Sequence, residues 1–193
     1  VELTNKSPIT PEASYIGDIV RNFSGGIKKG TSYLGLANLK LSLNTEESGL
    51  WKGGQVFINA ANAHGGNPTA DLIGDFHTVS NIEADEITYI HELWYKQTIS
   101  DFEIIVGLQD LNTDFVSSEY GGLFINSTFG TPSTIADNIP SPIFPFTTIG
   151  ISFKWKISEN NTWKIALFDG LPTELEHNPH NLSWKFNKNE GAF

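Results

Sequence analysis

The chain has 193 residues, of which 39% are hydrophobic and 18% charged, with a net charge of −10. This composition excludes a disordered polymer, and no apolar run approaches the roughly 18 residues that a spanning helix needs. The acidic balance argues against a nucleic-acid partner, and the lack of cysteine removes disulfides, thiol nucleophiles and thiolate metal sites. Methionine is absent even at position 1, so the sequence is expected to start inside a longer precursor, after signal removal or as a fragment.

Glycine and proline (18 and 9) recur throughout, and no stretch sustains a helical period. Period two recurs instead. A first strand is predicted at about 13–22, with irregular alternation. In 33–44, Leu39, Leu41 and Leu43 alternate with Asn38, Lys40, Ser42 and Asn44. A third strand is expected at 54–62 and a fourth at 86–97. The fourth sets Ile87, Tyr89, Leu93 and Tyr95 on one face and Thr88, Glu92, Trp94 and Lys96 on the other. His91 breaks its apolar face and Ile90 its polar one. Phe102, Ile104, Val106 and Leu108 then alternate with Glu103 and Gln109, and Ile149, Ile151, Phe153, Trp155 and Ile157 with Ser152, Lys154 and Lys156. Trp163, Ile165 and Leu167 alternate with Thr162 and Lys164, and Leu182, Trp184 and Phe186 with Ser183, Lys185 and Asn187. The total is about eight strands in one domain, 1–193, each near the length that crosses a bilayer when tilted.

The connections are moderate at 22–31, short at 45–53, long at 63–85, short at 100–101, very long at 110–146, short at 158–161 and moderate at 169–180. Short periplasmic turns and long external loops make an up-and-down membrane barrel alternate in this way, whereas a soluble meander has no reason to. The expected fold is therefore all-β, an antiparallel up-and-down transmembrane β-barrel. Trp51, Tyr95, Trp155, Trp163 and Trp184 fall near strand ends or on apolar phases, where an interfacial girdle would place them. A water-soluble, carbohydrate-binding β-sandwich is the alternative that the same alternation allows. Eight strands close only a narrow, side-chain-filled barrel, and a conducting pore needs about 16.

The segments GLWKGGQVFINAANAHGGNP (49–68), TVSNIEA (78–84), ELWYKQ (92–97), VGLQDLNTDFVSSEYGGLFINSTFG (106–130), FPFTTIGISFKW (144–155) and LFDGLP (167–172) resemble the carbohydrate-selective porin (OprB) family in order and spacing. The resemblance covers the chain from about Ser24 onward, and 110–130 is its most specific part. It implies part of a 16-stranded outer-membrane porin that admits sugars by passive diffusion, with no catalytic residue, no metal and no cofactor. The implied partners are small sugars and outer-membrane lipid, with the barrel completed by further chain or in a homo-oligomer.

On that reading the polar phase of each strand faces the lumen. It holds Asn38, Lys40, Glu92, Trp94, Lys96, Glu103, Gln109, Lys154, Lys156, Lys164 and Lys185. By analogy with general porins, whose constriction loop follows the fifth strand, the constriction candidates are Asp110, Asn112, Asp114, Glu119, Tyr120, Phe124 and Asn126. Carboxylates and amides can bond sugar hydroxyls, and an aromatic ring can stack on a pyranose.

Other motifs carry less. Asp110, Asn112 and Asp114 have the opening spacing of a calcium loop, but Phe115 and Gly121 stand where glycine and glutamate are needed. Residues 25–31 resemble a phosphate loop only superficially, since no lysine follows Gly30. Glu176, His177 and His180 read as solvated loop residues, no serine lies in a nucleophile elbow, and no carboxylate pair stands out for a glycoside hydrolase, the second alternative.

Overall fold

The computed structural model describes residues 7–116, 118, 120–136, 138–139, 141–186 and 191–192. Seven strands follow one another: β1 (Ile9–Asn22), β2 (Gly30–Asn44), β3 (Gly54–Gly65), β4 (Ile87–Ile99), β5 (Phe102–Gln109), β6 (Thr148–Ser158) and β7 (Asn161–Phe168). Each pairs antiparallel with the next, in the order β1 to β7, so the sheet is an up-and-down meander that stays open at β1 and β7. Turns 45–53, 100–101 and 159–160 occupy one end, and the long connections 66–86 and 110–147 occupy the other.

Alternation sorts the side chains onto two faces. On the outer face Ile19, Leu39, Val106, Ile151, Ile165 and Leu167 are exposed, with Ile165 at 62%. A large, contiguous, exposed apolar sheet face is rare on a monomer in water and marks a surface that meets a partner or a membrane. Aromatic rings rim both edges of this face. Phe102, Trp155 and Trp163 lie in register at the short-turn end, where the Trp51 indole also donates to Tyr95 Oη at 2.8 Å. Towards the long loops, the hydroxyls of Tyr15 and Tyr33 bond one another and His64 Nε2 lies 3.0 Å from Tyr15 Oη, so these polar atoms have partners. The stretch from Tyr33 to Leu43 amounts to about 34 Å of extended chain and, at a tilt of about 40°, to about 25 Å of height. That is the thickness of an outer-membrane apolar band.

The inner face is polar towards the short turns and apolar towards the long loops. At the apolar end Leu34, Leu36, Ala61, Ala63 and Tyr89 form a buried cluster with Ile82 of loop 66–86. Phe144 of loop 110–147 and Leu175 pack against it, so both long connections fold inward over the wall. Ser80 Oγ donates to Asp18 Oδ2 on β1 at 2.7 Å, which ties the first of these loops across the sheet.

Two sequence expectations change. In β4 the register slips beside Asn59 and Ala60: Asn59 pairs with Glu92 and Ala60 with Ile90, leaving His91 as the extra residue of a bulge. The bulge reverses the phase, so Tyr89 and Ile87 face inward with Glu92, Trp94 and Lys96, while Ile90 faces outward with Leu93. Both apparent breaks in the pattern, His91 and Ile90, are thereby resolved.

The second change is the count: among the described residues there are seven strands rather than about eight. The segment around Leu182, Trp184, Lys185 and Phe186 alternates but pairs with no strand. Its backbone is committed locally, since Asn178 Oδ1 accepts from the amides of Leu182 and Ser183 and the Trp184 indole donates to Asn181 O. Asn181, at φ 51°, interrupts the extended path. Lys185 consequently lies on no wall strand.

An arginine at Leu167, two outward rows in from the Trp155–Trp163 rim, is expected to destabilise the protein folded in lipid vesicles by about 2–4 kcal/mol, read from urea titration. Ser14→Arg, on the inner face, is expected to change the midpoint by under about 0.5 kcal/mol.

Candidate functional site

The polar inner wall is a charge ladder set by register. Glu103, Lys154 and Lys164 stand directly opposite one another on β5, β6 and β7. Two lysines in cross-strand register repel, and each here has its own acid. Lys154 Nζ lies 3.2 Å from Glu103 Oε1, and Lys164 Nζ lies 3.4 Å from Asp114 Oδ1 and donates to the Asp114 carbonyl at 2.6 Å. Asp114 belongs to loop 110–147, so the second lysine draws that loop onto the wall. Phe115 follows it into a small crevice with Ile105 and Ser152.

Further round the wall, Lys40 Nζ pairs with Glu12 Oε1 at 3.1 Å, and Lys40 stands opposite Asn59, itself opposite Glu92. Asn38 lies one step along, between Ser14 and Ala61. Trp94 donates from its indole to Glu92 Oε1 at 3.2 Å and stacks on Phe57 with centroids 4.7 Å apart. Lys96 stands between Gln55 and Ile105, and Lys156, exposed near the short turns, stands opposite Thr162.

The constriction candidates divide. Gln109 is buried, donating to Gly150 O at 2.9 Å and accepting from Ser152 Oγ at 2.6 Å. Asp110 is also enclosed: its Oδ2 lies 3.3 Å from His91 Nε2, with side chains 9% and 8% exposed, and Tyr89 Oη lies 3.2 Å from His91 Nδ1. These residues form the post at which the chain leaves the wall. Asn112 accepts from Thr131 Oγ1, closing the base of the loop. Asp110 and Asp114 are therefore committed to His91 and Lys164 on different strands, which separates the carboxylates that the calcium-like spacing had grouped.

Tyr120 is exposed, and Phe124 stacks on Phe129 at 4.2 Å. Asn126 Oδ1 accepts from the amide of Thr128 at 2.9 Å. Glu119 lies outside the described residues. The two long loops hold each other: Asn81 N donates to Ile125 O at 2.8 Å, and Ser127 N to Thr78 O at 3.1 Å. Between them lies a cleft of about 600 Å³ lined by Phe76, His77, Glu83, Asn112 and Phe129. The sequence reading missed Phe57 and the Tyr89–His91 pair as inward residues. The signal for the pair was the adjacent double break in the β4 pattern, which only a bulge reconciles.

Sequential antiparallel strands, a rimmed apolar outer face, and a charged inner wall under inward loops define the wall of a membrane-spanning β-barrel channel. The carbohydrate-selective porin, OprB family, matches residues 28–193, and the chain belongs to that family. The fold is similar to the high-pH structure of Pseudomonas putida OprB, with a TM-score of 0.83 and 20% sequence identity. The match covers 94% of this chain and 46% of that one, so the chain spans under half the length of that protein and forms a partial barrel. No curated protein matched the sequence.

Asp110→Ala would leave His91 enclosed without its partner. It is expected to raise the population of detached loop roughly fivefold or more, for a loss of about 1 kcal/mol. Limited chymotrypsin cleavage near Tyr120 and Phe124 measures this, and Asp110→Asn is expected to retain most of the protection.

Proposed function

We propose that this chain forms about half the wall of an outer-membrane pore through which small neutral sugars diffuse. The observation that carries the reading is the division of one sheet into two solvents. An apolar belt of membrane thickness lies outside, and paired charges with an inward-tethered loop lie inside. Such a wall has no use in a soluble sandwich, where the apolar face would be covered.

On this reading the wall groups Asn38, Lys40, Glu92, Trp94, Lys96, Lys154 and Lys156 meet the solute, and Asn112, Asp114, Glu119, Tyr120, Phe124 and Asn126 belong to the loop that narrows the path. Gln109 and Asp110 hold that loop in place. Lysines on the wall and acids in the loop create a field across the lumen. The field orders water and favours polar, uncharged solutes, which bind through hydroxyls weakly enough to leave again. No group in this arrangement is asked to make or break a bond. Glu103, bonded to Lys154, belongs to the same wall.

The test is reconstitution of the full-length protein in planar bilayers and in liposomes. Stepwise conductance and sugar-driven liposome swelling are the expected results. A protein that stays in solution without detergent and forms no channels would overturn the reading. Lys154→Glu is expected to shift reversal potentials towards cation preference, because it places a second negative charge beside Glu103 and leaves Lys164, held by Asp114, as the remaining cation of that row.

A further inference from the structure

We propose that the inner wall carries a seat for the ring of a neutral hexopyranose, formed by Phe57 and Trp94 beside Gly107, where the wall has no side chain. The proposal rests on the sugar-pore reading and names where along the wall the sugar pauses.

Cross-strand register sets Ser42, Phe57, Trp94, Gly107, Gly150 and Phe168 in one row from β2 to β7. Phe57 and Trp94 are both half-buried, and their rings stack at 4.7 Å with planes 23° apart. Next to Trp94 the wall is bare. Gly107 has a φ of 138°, and a Cβ there would sit 2.3 Å from Leu93 O and 2.7 Å from Trp94 Cα, so only glycine fits. Across Gly150 lies the Phe168 ring, 2.3 Å from where a Cβ would be. Gly150 is buried beneath that ring, itself 2% exposed, so the bare step is Gly107 alone, between Trp94 and the covered glycine.

Polar rows bracket this apolar one. Towards the long loops run Lys40, Asn59 and Glu92, and Glu92 already accepts from the Trp94 indole. Towards the short turns run Gln55 and Lys96. Each row is two residues away, about 6.8 Å along the strand. A hexopyranose with equatorial hydroxyls presents C–H bonds on its ring faces and hydroxyls around its rim. That pattern matches an aromatic surface between two hydrogen-bonding rows, with Lys40, Asn59 and Glu92 on one side and Gln55 and Lys96 on the other. An acyclic polyol carries the same hydroxyls but no ring face, so it satisfies the rows without the platform.

The experiment compares D-glucose with D-sorbitol as probes of the full-length protein in planar bilayers, reading the concentration that halves the ion current. Glucose is expected to act at the lower concentration. Trp94→Ala is expected to raise the glucose value roughly tenfold, the effect of losing one aromatic stack, and to leave sorbitol unchanged. Trp94→Phe is expected to retain most of the difference. Heat-modifiable gel mobility checks folding. Should Trp94→Ala fail to fold, Phe57→Leu is measured in its place, with a several-fold rise expected for glucose alone. Equal action of the two probes on the wild type, or a glucose value within about twofold after these substitutions, overturns the seat. If the wild type admits sugar into liposomes in either of those cases, the pore reading stands and only the seat falls. A wild type with no current and no sugar entry removes both.

Discussion

Every part of this wall depends on one constraint: where hydrocarbon replaces water, each backbone N–H and C=O must find a partner within the protein. The meander meets it by pairing consecutive strands along nearly their whole lengths, with β1 and β2 in register from Ile9 and Leu43 to Asn22 and Gly30. Once the backbone is committed to the ladder, the pleat leaves a single choice for side chains, outward or inward. The outer face takes Leu39, Leu41, Ile151, Ile165, Trp155 and Trp163, and the inner face takes the wall lysines and carboxylates together with Leu34, Leu36 and Trp94.

The same constraint explains the irregular region beside β5. That strand ends at Gln109, short of the height reached by β4, because the chain turns inward at Asp110. The upper edge of β4 would then lack partners. The 169–186 segment fills this notch: Ile90 N donates to His180 O at 3.1 Å, and the Asn181 amide donates to Ile90 O at 2.9 Å and to Thr147 Oγ1 at 3.0 Å. Sending a loop into the lumen and patching the wall behind it are therefore one structural event. The His91–Asp110 pair stands at the point where the loop departs, on the one bulge of β4. A bulge is a device for re-aiming a side chain, and here it aims an imidazole at the first carboxylate of the loop.

Electrostatics completes the positioning. Lys154 and Lys164 stand in register and would repel, so β5 supplies Glu103 to one and the inward loop supplies Asp114 to the other. Both pairs are partly exposed and contribute little to stability. Their consequence is geometric: the Asp114 stretch of the loop lies on the β5–β7 part of the wall and Phe144 of the same loop covers the upper β2–β4 cluster, while Phe57 and Trp94 keep their own row nearer the short turns. The lumen is thereby given two unlike sides.

Strand order, the two faces of β2, β5, β6 and β7, and the rhythm of long and short connections were legible in the residues. Period-two alternation and turn chemistry are local properties, and a membrane barrel follows them closely. The bulge at His91, the inward packing of Leu34, Leu36 and Tyr89, and the use of Asn181 as a patch were not legible. Each depends on which distant segment arrives, and alternation in 182–186 looks the same whether or not a neighbouring strand is there to pair with it. The sequence by itself determined that β2, β5, β6 and β7 each carry an apolar and a polar face, because hydrophobicity and pleat act residue by residue. Only the tertiary structure decided which inward residues hold loops, because that depends on partners such as His91 for Asp110 and Lys164 for Asp114, more than 15 residues away in sequence.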